Sequence, residues 1–126
     1  MKILILPSWY PNPFHTTTGD FVMYQARLLQ RAGVDVSVLY NQMTYRNLRQ
    51  PLSSIHFNVE RGVSTTRIAG FALPKVNSYF LKKWVDGLEE ALEMHLKKWG
   101  RPDLIHAHVW MGGYAAQRIA KRLKIP

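Results

Sequence analysis

Two histidines separated by one residue are the side chains of this sequence with the clearest chemical potential. His106 and His108 flank Ala107 at the end of a short apolar run. Alternate side chains of a strand lie on the same face, so both imidazoles would point the same way. Such a pair could bind a metal ion, but no third ligand is evident nearby. We favour hydrogen bonding to a polar substrate. The alternative is that neither histidine binds a ligand, and that one lies in the core and the other on the surface.

The segment from Pro7 to Gly19 is the second candidate for chemistry. Thr18 and Gly19 directly precede a predicted helix, whose first N–H groups and dipole favour an anion or sugar hydroxyls. Neither a G-x-G-x-x-G dinucleotide motif nor a G-x-x-x-x-G-K-[ST] phosphate loop is present. Ordinary turn chemistry also explains Gly19. Ser8 has no visible base, so nucleophilic hydrolysis has no support.

Aromatic and histidine side chains in and after these segments could contact a substrate. Trp9 and Tyr10 could stack on a sugar or a lipid-linked acceptor, or they could anchor the loop to the core. His15 lies later in the same loop, and Trp110 would form an aromatic wall beside His108, followed by Gly112-Gly113 as a permissive helix start. The acceptor-side candidates are therefore Trp9, Tyr10, His15 and Trp110.

Strands and helices must hold these segments in place, and the first third of the chain predicts a βαβ unit. The apolar run Lys2–Leu6 predicts a strand buried on both faces. Helical spacing from Asp20 to a stop at Gly33 predicts a helix, and a β-branched run from Val34 predicts the second strand. The predicted inward face of the helix consists of Phe21, Tyr24, Leu28, Leu29 and Ala32.

The middle of the chain predicts a loop, a hairpin and a long helix. Asn41–Ser54 has no sustained period and is interpreted as a loop. Ile55–Glu60 and Val63–Ala69 predict a hairpin around Arg61-Gly62, with the second run as the better sheet strand. The apolar stripe from Asn77 onward predicts a long helix that ends at Gly100.

The last segments complete the predicted architecture. Asp103–Ala107 predicts another buried strand, and Gly113–Leu123 predicts a helix. This order of elements predicts a doubly wound α/β domain with a mainly parallel sheet in the order 3-2-1-4 or a close relative. The chain stops at Pro126 after a crossover helix, before any strand that would receive it. We therefore expect residues 1–126 to be an incomplete amino-terminal domain of a longer protein.

Composition limits the possible classes of function. The 126 residues are 47% hydrophobic, which excludes a chain that is disordered throughout. The sequence contains no cysteine, which excludes a disulfide scaffold, a thiolate metal site and a cysteine nucleophile. The first apolar run is far shorter than the roughly 20 residues of a membrane span. The net charge is +9, and the positive charge lies mainly in two basic stretches, residues 37–85 and 94–126, on either side of the acidic segment Asp86–Glu93. This pattern could steer an anionic partner, or it could simply be a solvated surface.

Motifs spread along the chain resemble family-4 glycosyltransferases. Each motif is modest alone, their combination at this spacing is fairly specific, and residues 41–100 add little. The matching segments are Ile3–Pro11, Gly19–Val22, Gln25-Ala26, Ala32–Val38, Pro102–His108, Gly113–Ala116 and Ile125-Pro126.

The resemblance implies the amino-terminal half of a GT-B enzyme, in which two Rossmann-like domains face each other across a cleft. Such enzymes are typically retaining and need no metal ion. They transfer a sugar from a nucleotide-sugar, held mainly by the carboxyl-terminal domain, to an acceptor held mainly by this half. By position, His108 would contact the transferred sugar, and Gly19 would lie near the donor phosphates. Many members have a Gly-Gly pair where this chain has Thr18-Gly19, which puts a close approach of phosphate to residue 18 in doubt.

The resemblance also implies a location and partners. We expect a cytoplasmic transferase that acts on saccharide or lipid-linked acceptors in polysaccharide or lipopolysaccharide synthesis, and a fragment that is inactive alone. A peripheral patch for the anionic inner membrane face is expected at Arg46, Arg49, Lys75, Lys82 and Lys83. A non-catalytic α/β binding module and a nucleotide-sugar epimerase-like domain are the alternatives. We do not expect a nucleic-acid partner, because only the charge suggests one and no recognised module supports it.

Overall fold

The computed structural model describes residues 1–13, 15–43, 54–70 and 77–126, which form one five-stranded sheet with helices on both faces. The elements in chain order are β1 (Lys2–Pro7), α1 (Asp20–Arg31), β2 (Asp35–Met43), β3 (Ser54–Glu60), β4 (Val63–Gly70), α2 (Asn77–Trp99), β5 (Leu104–His108) and α3 (Val109–Leu123).

The sheet has the order β3-β4-β2-β1-β5. Its four parallel strands, β4, β2, β1 and β5, reproduce the predicted order 3-2-1-4. The predicted hairpin is also confirmed, because β3 pairs antiparallel with β4 and adds an edge strand. Arg61 and Gly62 join the two strands with φ values of 50° and 90°. Positive φ at both positions is the geometry of a two-residue type I′ turn, which matches the natural twist of paired strands.

Each face of the sheet is covered by apolar side chains, as expected of a doubly wound domain. One core lies between the sheet and α2 with α3, where Leu4 and Leu6 pack with Trp84, Leu88 and Ile119. The other core lies under α1 and consists of Ile3, Ile5, Tyr10, Val22, Met23, Ala26, Val36, Val38, Tyr40 and Val63. The alternation of odd and even positions along β1 therefore separates the two cores.

The predicted inward face of α1 is confirmed only at Leu29, which packs against the core beneath the helix, and is wrong at the other positions. Phe21, Tyr24 and Leu28 are 52%, 55% and 63% exposed, whereas Val22 and Ala26 are fully buried. Both sets repeat at three- and four-residue intervals, so periodicity alone did not distinguish them. The anchoring of the helix start against the first loop sets its rotation, as described below.

Two element boundaries and the burial of one strand also differ from the sequence predictions. Asn41–Met43 continue β2 instead of beginning a loop, while residues 44–53 of that predicted loop lie outside the described residues. Helix α3 begins at Val109 rather than Gly113. Strand β5 is half-buried along its length rather than buried, because within the described sheet it is an edge strand. After α3 the chain returns to this strand, where the Ile105 N–H donates to the Pro126 carbonyl at 2.8 Å.

A buried histidine joins α2 to the sheet. His95 is 0% exposed, with Nδ1 at 2.8 Å from Thr66 Oγ1 and Nε2 at 3.0 Å from Ser37 Oγ. Burial, and to a lesser degree the charge of Lys2, lowers the pKa of His95 from 6.5 to about 4. Because the charged form is disfavoured in the folded chain, protonation is linked to unfolding.

We expect acid to destabilise the protein through His95. Between pH 6.5 and pH 4 the unfolded state binds a proton that the folded state excludes, so stability is complete above pH 6.5 and falls as the pH approaches 4. The full difference corresponds to about 3 kcal/mol. Urea unfolding at pH 7 and pH 4.5 should show a larger loss for the wild type than for His95→Gln. Equal losses in the two proteins would contradict this assignment.

Candidate functional site

The carboxyl ends of β1 and β5 bring the two candidate segments together. Pro7 lies opposite His108 in the parallel ladder. One residue further, the Ser8 N–H donates to the His108 carbonyl at 3.1 Å. The loop that follows β1 therefore begins beside the histidine that ends β5. This edge is where open α/β sheets bind ligands.

The two histidines of β5 share a face and touch. The ring centroids of His106 and His108 are 4.5 Å apart, and the planes are inclined by only 25°. Leu104, two residues earlier on the same face, packs into the core beneath α1. Both imidazoles therefore lie on one face of the sheet, as their spacing predicted. That face is the one covered by α1.

Phe21 completes this aromatic group from the first turn of α1. Its ring packs against the His108 ring in a T-shaped arrangement, with centroids 5.8 Å apart and planes at 69°. Sequence reasoning placed Phe21 in the core and so missed it at the site. The available signal was its position, two residues after Gly19 and therefore at the ligand-binding edge of the sheet.

Burial favours the neutral form of His108, and the described residues leave part of its hydrogen-bonding capacity unused. Burial, and secondarily the neighbouring His106, lowers the pKa of His108. A neutral imidazole has one donor and one acceptor nitrogen. Nε2 of His108 is buried and has no hydrogen-bond partner among the described residues. An unpaired buried polar atom is costly, which makes this nitrogen a candidate contact for a ligand.

Gly19 has a structural requirement of its own. It caps α1 with φ of 80°, in the left-handed region that glycine tolerates, and its carbonyl accepts from the Val22 and Met23 N–H groups. A Cβ at this position would lie 2.4 Å from the Trp9 carbonyl oxygen. The close approach of Gly19 to the Trp9 backbone thus fixes where α1 begins and how it is rotated. Thr18, beside it, is exposed.

The acceptor-side candidates separate into exposed and buried residues. Trp9 and Trp110 are 49% and 67% exposed, and His15 is exposed in a tight turn in which Asn12 and His15 exchange two backbone hydrogen bonds of 3.1 Å. Tyr10, in contrast, is 0% exposed and packs on Tyr40. Its ring has no open face for a ligand. The prediction that Tyr10 contacts the acceptor is therefore wrong, and Tyr10 anchors the loop to the core.

Arg67 is a second anchor of this loop that sequence reasoning missed. Its guanidinium donates to the Pro11 carbonyl at 2.6 Å and forms a paired contact with the Glu60 carboxylate at 2.6 and 2.7 Å. It also lies 5.1 Å from the centre of the Tyr10 ring. A cleft of about 250 Å³ opens between the loop and this ion pair. The arrangement holds the loop against β4.

Metal-binding geometry is not evident in the described parts of the chain. No group of three histidine, aspartate or glutamate side chains there could hold an ion. His106 and His108 therefore stand as a pair of stacked rings.

The comparison with protein families gives one match. The family described as "Glycosyl transferase 4-like domain" matches residues 16–126, which confirms the resemblance over that range. The segment Ile3–Pro11, which also contributed to the resemblance, precedes the match. No curated protein matches the chain.

Proposed function

Because the chain belongs to the glycosyl transferase 4-like domain family, we propose that it takes part in retaining transfer of a sugar from a nucleotide-sugar to a saccharide or lipid-linked acceptor. The family match over residues 16–126 is the observation that carries this proposal. The location of His108 at the ligand-binding edge of the sheet supports it.

In the proposed complex, the transferred sugar lies beside His108. Its Nε2, which has no hydrogen-bond partner among the described residues, would pair with a sugar hydroxyl at a partly buried position, where such a bond is stronger than in water. The stacked His106 ring and the T-shaped contact with Phe21 hold the imidazole in place. His108 thus serves to bind and orient the sugar near the reaction centre.

The donor phosphates are proposed to approach Thr18 and Gly19 at the start of α1. Backbone N–H groups at this end favour an anion, although Asp20 already places one carboxylate in the first turn. Trp9, His15 and Trp110 are the proposed acceptor-side contacts, because their side chains are exposed around the same edge. We propose that no metal ion takes part. This follows from the family resemblance.

The direct test is sugar transfer by the full-length protein. Incubation with UDP-glucose, UDP-galactose, UDP-N-acetylglucosamine and GDP-mannose, each with a lipid extract as acceptor source, should release nucleoside diphosphate from one donor. The new linkage should keep the anomeric configuration, and EDTA should leave the rate unchanged. Failure with every donor would count against the proposal. A product sugar whose configuration differs from that of the donor at a carbon other than the anomeric one would instead identify the epimerase-like alternative.

We further propose a cytoplasmic protein that associates with an anionic membrane surface. The absence of cysteine and the two basic stretches support this proposal. Of the five predicted patch residues, Arg46, Arg49 and Lys75 lie outside the described residues. Lys82 is exposed but forms an ion pair of 2.5 Å with Asp86, which reduces its free charge. Among the described helices, none is long and apolar enough to cross a membrane.

Liposome pelleting tests the membrane patch. We expect the protein to pellet with vesicles containing phosphatidylserine but not with pure phosphatidylcholine vesicles, and we expect added salt to release it. Substituting Arg46, Arg49 and Lys75 by glutamine should weaken binding more than substituting Lys121 and Lys124, basic residues outside the proposed patch. Pelleting that does not depend on salt would exclude an electrostatic patch.

A further inference from the structure

Ser8 links the two segments that form the candidate site. Its side chain is only 7% exposed and lies between the end of β5 and the first turn of α3. The hydroxyl donates to the His108 carbonyl at 3.0 Å and accepts from the Gly112 N–H at 2.8 Å. The Ser8 backbone N–H donates to the same carbonyl at 3.1 Å. Three hydrogen bonds therefore join this one residue to the backbone around His108.

The hydroxyl is inserted where the first hydrogen bond of α3 would form. In an uninterrupted α-helix the Gly112 N–H would donate to the carbonyl four residues earlier, which is that of His108. Here the carbonyl accepts from Ser8, and the Gly112 N–H donates to Ser8. A single hydroxyl acts as donor and acceptor at once and satisfies both groups.

The backbone at this junction is unusual and needs support. Val109, the first residue of α3, has φ of 66°. A β-branched residue rarely adopts the left-handed region, and such conformations persist when surrounding contacts enforce them. Ser8 supplies contacts on both sides of Val109, at residue 108 and at residue 112.

We propose that Ser8 is a positioning residue for His108. By fixing the His108 carbonyl and the start of α3, Ser8 sets the direction of the imidazole, whose Nε2 has no partner within the described part of the chain. Ser8 and His108 lie a hundred residues apart in the chain, and the pairing of β1 with β5 brings them together. This inference rests on the proposed function for its kinetic consequence, but its structural content can be tested separately.

The structural test uses the histidine ring signals of the full-length protein in nuclear magnetic resonance. With selective isotope labelling of histidine, His108→Ala identifies the His108 signal by its loss. Ser8→Ala should move that signal. Ser37→Ala is the matched control, because it removes another buried serine hydroxyl that contacts His95, and it should leave His108 unchanged. A His108 signal that stays in place in Ser8→Ala would overturn the inference, whether or not the protein transfers sugars.

The kinetic test separates positioning from general stability. A small displacement of a positioned group lowers turnover strongly, so Ser8→Ala should reduce kcat by about 10-fold or more. The donor KM should change by less than about 2-fold, because the phosphate contacts are retained. Ser37→Ala should leave kcat unchanged. If Ser8→Ala does not fold, Ser8→Cys, which keeps the size but has a weak donor, is measured against the same expectations.

The two experiments separate the role of Ser8 from the proposed function. Wild-type kcat in the Ser8 variant, or an equal loss in Ser37→Ala, would contradict positioning by Ser8 while leaving the transferase proposal intact. Absence of transfer by the wild type would count against the proposed function, and the resonance experiment would still decide the role of Ser8.

Discussion

Replacing His108 by alanine in the full-length protein is expected to lower kcat for sugar transfer by about 100-fold, the usual consequence of losing one preorganised polar contact in an active site. The physical reason is that Nε2 of His108 is buried without a hydrogen-bond partner among the described residues. Burial lowers the pKa of His108 and so favours the neutral imidazole, which can bind a hydroxyl without carrying charge. Initial rates at saturating donor provide the measurement.

The matched control for this experiment is His56→Ala. His56 is an exposed histidine on β3 that contacts Ser54 at 2.9 Å and lies outside the proposed site. Its replacement should leave kcat unchanged. Circular dichroism and thermal melting establish that both variants are folded. Transfer by His108→Ala at the wild-type rate would remove His108 from the mechanism.

Adding one methyl group at Gly112 is expected to destabilise the fold by about 2 kcal/mol, as overpacking does in a tight interior. A Cβ there would lie 2.3 Å from the Leu6 carbonyl oxygen, so α3 must move away from β1. This movement also disturbs the Gly112 N–H that donates to Ser8. We therefore expect transfer activity to fall together with stability.

The adjacent glycine in the same helix provides the control. A Cβ at Gly113 would have no neighbour within 4 Å. Alanine also favours helix by about 1 kcal/mol over glycine, so Gly113→Ala should be neutral or stabilising. Urea unfolding should therefore show a loss of stability for Gly112→Ala and no loss for Gly113→Ala. Equal stability of the two would show that α3 does not approach β1 as closely as described.

These two glycines show where interpretation of the sequence was incomplete. Gly112-Gly113 was interpreted as a permissive start of a helix, but α3 already begins at Val109. Gly112 is required by a contact with Leu6, more than a hundred residues away in sequence, and Gly113 has no comparable contact. No local pattern distinguishes two adjacent glycines when a distant strand determines which of them must lack a side chain.

Most of the architecture was nevertheless accessible from local patterns. Continuous apolar runs predicted β1 and β2, and the stripe of α2 was confirmed at Trp84, Leu88 and His95. The order of elements predicted the arrangement of the four parallel strands, because right-handed crossovers permit few alternatives. The face of α1 could not be predicted, since Phe21 and Val22 belong to two equally periodic apolar sets.

The sequence by itself determined the fold class, the family and the shared face of His106 and His108. The fold class follows from the order of the elements, the family from motifs spread along the chain, and the shared face from the spacing of the two histidines. Tertiary structure alone decided the environment of His108. The pairing of β1 with β5 brings Ser8 to its carbonyl, and the docking of α1 brings Phe21 to its ring. Burial at this junction lowers the pKa of His108, and Nε2 has no hydrogen-bond partner in the residues that the structure describes. Such properties depend on contacts between residues far apart in the chain, which spacing along the sequence does not encode.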